Sequence, residues 1–156
     1  MNTYALNLKN LALTQYDDNF NFNSICTDGI NYYGASDAGI HLLRGDTDDG
    51  APIAAHIRTG THDFDSSFLK HFHAVYLGVK SEAALELKII PDDNQAYAYN
   101  MDNDGYPQAH TVKIATGKGM KTRYITFELS NTDGGYFEIG SIEMLFEMTS
   151  RRAFAI

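Results

Sequence analysis

The stretch Phe137-Glu138-Ile139-Gly140-Ser141-Ile142-Glu143-Met144-Leu145-Phe146-Glu147-Met148 decides the fold. Phe137 and Ile139 fall on one parity, whereas Ile142, Met144, Phe146 and Met148 fall on the other. A strand turns successive side chains to opposite faces, so a change of parity inside one apolar run marks one extra residue. The segment reads as a single long strand with a β-bulge at Gly140-Ser141. Glu143 and Glu147 stand four apart, as on a helix face, but strict alternation of large apolar groups favours the strand.

The same period recurs upstream. Ile125, Phe127 and Leu129 alternate with Tyr124, Thr126, Glu128 and Ser130, and Leu85, Leu87 and Ile89 alternate with Glu86 and Lys88. Both read as strands with one buried and one wet face. His71 to Val79 is apolar on both parities, Phe72, Ala74 and Tyr76 against Val75, Leu77 and Val79, and reads as a central strand. Asp-Gly turns at Asp28-Gly29, Asp48-Asp49-Gly50, Asp104-Gly105 and Asp133-Gly134-Gly135, with Asp37-Ala38-Gly39, separate short strands by hairpins. No convincing helix is visible, only a possible single turn near Ser66–Lys70.

The fold class expected is all-β. Before Gly50 the pattern is of short strands among Asn/Asp turns: Ala5–Leu8, Leu11–Gln15, Phe22–Thr27, Asn31–Gly34 and Ile40–Leu43. After it the strands are longer. The chain therefore divides into a small N-terminal β-meander over 1–50, an antiparallel, jelly-roll-like β-sandwich over 51–150 and a surface tail over 151–156.

Composition narrows the function classes. The net charge is -8, from 12 basic and 20 acidic residues. Duplex binding needs a basic face to displace counterions from phosphates, so nucleic acid is not an expected partner. Cys26 is the only cysteine, which excludes a disulfide framework and a cysteine-rich zinc site. No charged-then-apolar leader opens the chain, and no apolar run approaches the roughly 20 residues that span a bilayer. Membrane insertion is not expected.

Few residues carry candidate chemistry. His71 and His73 are two apart on one strand and project from one face, a spacing that holds a transition metal given a third ligand, with His56 and His62 upstream to complete it. The alternative is that they are polar positions on a partly wet sheet, since parity groups them with Val75 and Leu77 and with no carboxylate. Asn100, Asp102, Asp104 and Gly105 match the opening of a calcium loop, but Thr111 stands where the bidentate Glu belongs, and solvated turn residues are the plainer reading. No metal or other cofactor is therefore expected. There is no G-x-S-x-G elbow, Gly117-Lys118-Gly119 lacks the phosphate-loop spacing, and no acid/base pair of carboxylates stands out, so no enzyme is expected. Tyr97 and Tyr99 share a face and are the best candidates for stacking on a sugar.

The order of elements carries a resemblance. It runs Tyr4-Ala5-Leu6-Asn7, Asn19-Phe20-Asn21-Phe22-Asn23-Ser24, Asp28-Gly29-Ile30, Tyr33-Gly34 and Ala38-Gly39-Ile40-His41-Leu42-Leu43-Arg44-Gly45-Asp46. Ile53-Ala54-Ala55-His56-Ile57-Arg58-Thr59-Gly60, the strand from Lys70 to Tyr76-Leu77-Gly78, Arg123-Tyr124-Ile125-Thr126-Phe127-Glu128-Leu129-Ser130-Asn131 and Arg151-Arg152 follow. This resembles a family of virion proteins of tailed bacteriophages, whose members often carry Trp where this chain has Tyr4 and Ile125. The resemblance implies a structural component of the tail, its tip or its baseplate, assembled in the host cytoplasm and resident in the virion. It also implies partners among other tail proteins, with the chain homo-oligomeric or docked on a ring through Arg151, Arg152, Phe154 and Ile156. A module that binds a host-surface glycan or receptor is the alternative.

Overall fold

A computed structural model describes residues 3–11, 13–16, 20–45, 47–48, 50–82, 84–92, 95–101, 106–117 and 119–149. The described residues contain strands and turns and no helix. All strand pairings are antiparallel. The chain forms two compact units, Met1–Gly45 and Asp46–Ile156. The division falls at Gly45 rather than Gly50 because the small hairpin of β6 (Thr47–Asp48) and β7 (Ala51–Pro52) goes with the second unit.

The first unit holds a hairpin of β1 (Thr3–Leu6) and β2 (Leu13–Tyr16), and a meander of β3 (Ser24–Thr27), β4 (Tyr32–Ser36) and β5 (Gly39–Leu42). Aromatic rings link them: Tyr16 stacks on Phe20 at 4.2 Å, and Phe20 meets Phe22 edge-on at 4.8 Å. Phe22 lies over Gly34, where any side-chain carbon would come 2.5 Å from its ring. Only glycine fits under that ring. The Asp28-Gly29 turn joins β3 to β4 as its sequence predicts, and the Asp28 carboxylate accepts the Asn31 and Ile30 amides at 2.7 and 2.8 Å.

The second unit is a sandwich of two sheets. One has the order β11-β10-β14-β8, from β11 (Tyr97–Asn100), β10 (Leu85–Pro91), β14 (Ile125–Asn131) and β8 (His56–Arg58). The other centres on β9 (Lys70–Ser81), with β15 (Phe137–Met148) along one edge and β12 (Tyr106–Ala115) then β13 (Lys121–Thr122) along the other. Leu85, Leu87, Ile89, Ile125, Phe127 and Leu129 of the first sheet pack against Phe72, Val75, Leu77 and Val79 of the second in one core. Each such side chain, fully buried, contributes about 1.5–3 kcal/mol.

The long strand 137–148 is bulged at the expected place. Ile139 pairs with Val79 and Ser141 with Gly78, leaving Gly140 unmatched. A second irregularity lies at the far end of the same pair. There Leu145 faces Ala74 and Phe146 faces Phe72, so His73 has no opposite residue on β15. The inward parity of β9 changes accordingly: Phe72 and Ala74 are buried, and so are Val75, Leu77 and Val79. Tyr76 points outward, so β9 is not apolar on both faces.

Lys70 is a buried cation at the head of β9, fully withdrawn from solvent. Its ammonium donates to the carbonyls of Ser66 (2.5 Å), Phe68 (3.1 Å) and Arg123 (3.2 Å), which use its three protons. Burial pushes its pKa below the ordinary lysine value, and the carboxylates of Asp63 and Asp92 pull it back up.

Candidate functional site

The outer face of the β9 sheet carries the closest grouping of ligand-type side chains among the described residues: His71, His73 and Glu147. Because β9 changes parity beyond His73, the two histidines share their face with Tyr76 and not with Val75 and Leu77, which are in the core. That corrects the grouping read from simple alternation. The missing carboxylate is also supplied. Glu147 on β15 stands directly opposite His71, on the face both histidines use.

The geometry is tight. The rings of His71 and His73 are 4.5 Å apart at 52°, and His73 Nε2 lies 3.6 Å from Glu147 Oε2. One candidate ligand atom from each of the three residues falls within 4.8 Å of the others. His73 Nε2 is itself buried and makes no hydrogen bond, which is unusual for a buried polar atom. Glu147 is largely exposed and free to swing toward it. Lys121 faces His71 from β13 and adds an opposing positive charge. His56 and His62 do not complete this group. His56 is on β8 and His62 bridges to Ile125, so both belong to the other sheet.

Tyr97 and Tyr99 do share a face, but it is the face of Leu87 and Ile89, to which they pair. Tyr99 packs against the core and donates its hydroxyl to the Thr116 carbonyl at 3.2 Å; burial raises its pKa. Tyr97 alone is left to solvent, so the pair makes no open stacking platform. Asp102, Asp104, Arg151, Arg152, Phe154 and Ile156 lie outside the described residues.

Other polar groups are engaged with one another. A shallow groove of about 300 Å³ runs beside the Gly140 bulge, lined by Gly78, Lys80, His110 and Glu138 among others. Glu138 accepts from the Tyr136 hydroxyl at 2.7 Å and from Lys80 at 3.3 Å, and both hold its pKa below the usual carboxylate range. On the first sheet Lys88 lies between Glu86 (3.2 Å) and Glu128 (3.5 Å). No helix among the described residues is long and apolar enough to cross a membrane.

The remaining feature is the surface of the first unit. In the β1–β2 hairpin, Tyr4, Leu6 and Leu13 share one face and are exposed. In the meander, Cys26, Ile40 and Leu42 share another and are exposed too. Among the described residues of the unit, Gly34 alone is buried. No family model, curated protein or solved structure matches the chain.

Proposed function

We propose that the chain is a structural component of a bacteriophage tail, in the tail or at its tip or baseplate, and that it works by assembly with other virion proteins. The order of elements that resembles tail proteins supports the tail. The observation that supports assembly is the first unit's want of an interior. Two- and three-stranded sheets of four or five residues per strand need a covered apolar face to be stable, and here those faces are open. Contiguous exposed apolar surface is where partners bind.

The sandwich is guarded against the same fate. The long edge strand β15 carries Glu138, Glu143 and Glu147 outward and is kinked at Gly140, devices that discourage strand addition. The open faces of the first unit are therefore the surface we assign to assembly. Gold-labelled antibody against the chain should decorate the tails of purified virions; its absence from virions sinks the proposal. Leu6→Lys/Leu13→Lys and Ile40→Lys/Leu42→Lys should each abolish incorporation while the sandwich keeps its melting temperature. Saturable binding of the isolated chain to host cells, without incorporation into the tail, would favour the receptor-binding alternative.

A further inference from the structure

We propose that His71, His73 and Glu147 form a binding site for a late first-row divalent cation, of which Zn²⁺ is the best fit. Two imidazoles and one carboxylate are the donor set of open zinc sites, with one position left for water or an outside ligand. Hard cations such as Ca²⁺ and Mg²⁺ want oxygen donors in greater number than this face offers.

The distances suit the ion. Bonds of about 2.0–2.1 Å in a tetrahedron place ligand atoms roughly 3.3–3.5 Å apart. His73 Nε2 and Glu147 Oε2 are already at 3.6 Å, and one ligand atom from each of the three residues lies within 4.8 Å of the others. Closing the difference takes a small rotation of Glu147, the most exposed of the three side chains.

An ion pair between His73 and Glu147 is the simpler use of these groups, and it leaves an observation unexplained. A charge-assisted hydrogen bond would close to about 2.7–2.9 Å. Instead the buried His73 nitrogen stops short of the carboxylate and bonds to nothing. A metal ion fills that gap. Lys121, paired with His71 from β13, opposes a cation and lowers the expected affinity.

The test is titration of the untagged, EDTA-treated full chain with Zn²⁺ by calorimetry, and with Co²⁺ by visible absorption. One ion per chain should bind, with the absorption of a four-coordinate site and a rise in melting temperature. His73→Ala and Glu147→Gln should each weaken Zn²⁺ binding by roughly tenfold or more. Glu147 is exposed, so the Gln variant should melt with the wild type in EDTA. No saturable binding by the wild-type chain, or equal affinity in both variants, overturns the proposal.

Discussion

Ser141 sits opposite Gly78 across the β9–β15 pair, and its hydroxyl oxygen lies 2.7 Å from where a side-chain carbon on residue 78 would begin. The bulge at Gly140 brings the serine there, and glycine at 78 makes the room. Gly78→Ala should therefore destabilise the sandwich by about 1–2 kcal/mol in urea unfolding. Adding Ser141→Ala should return part of the loss, because it removes the 2.7 Å contact and leaves only the Ser141 backbone nitrogen at 3.3 Å. Equal stability of the wild type and Gly78→Ala would show the contact to be slack.

Lys70→Met tests the buried ammonium. Methionine keeps the length and the apolar stem but leaves the Ser66, Phe68 and Arg123 carbonyls without their shared donor. The expected loss is about 1–3 kcal/mol in denaturant unfolding, the cost of leaving buried acceptors without a donor. A variant as stable as the wild type would mean that packing of the stem is all that matters.

Asp28 gives the first unit a pH dependence. The amides of Asn31 and then Ile30 hold its pKa at about 2, below its ordinary value of 3.8. A depressed carboxylate supports the fold at pH above the ordinary value, and that support drains away as pH falls through the folded value. The Ile30 and Asn31 amide resonances should shift with a midpoint near 2, and Asp28→Asn should remove the transition. A midpoint near 3.8 would show that the turn does not hold the carboxylate.

Asn131 straps three segments together. Its side-chain amide donates to the carbonyls of Ile53 (3.1 Å) and Gly135 (3.0 Å), and its oxygen accepts the Ala55 amide (2.8 Å). Asn131→Asp has the same shape but turns both donors into acceptors facing carbonyls. It should cost about 1–3 kcal/mol at neutral pH, with part of the loss recovered as the carboxyl protonates in mild acid. A pH-independent difference from the wild type would argue against the donor contacts.

What could be read from the chain depended on whether a pattern was local. The alternation at 85–89 and 125–129 named the core positions of two strands, and the parity change at 139–142 placed a bulge to the residue. The equivalent change in β9 was masked. Ala74 and Val75 are both apolar and both buried, while the outward Tyr76 is apolar enough to look like a core residue. That assigned His71 and His73 to the wrong companions. Glu147 could not be joined to them, because cross-strand neighbours far apart in sequence leave no spacing to read. Lys70 was hidden for a related reason: a lysine is expected at the surface unless its acceptors are known, and three loop carbonyls supply them.

The two irregularities of the β9–β15 ladder are complementary. Gly140 is an extra residue on one strand and His73 an extra residue on the other, so the frame lost at the first is regained at the second. Phe137 opposite Ser81 and Met148 opposite Lys70 obey the same pairing rule, and only the stretch between the bulges is displaced by one. Deleting either residue alone would leave the other insertion uncompensated and slide one end of a twelve-residue strand out of frame. Deleting both would restore a continuous ladder, at the expense of the histidine pair. Within the β9–β15 ladder the two positions are thus tied, each insertion offsetting the other.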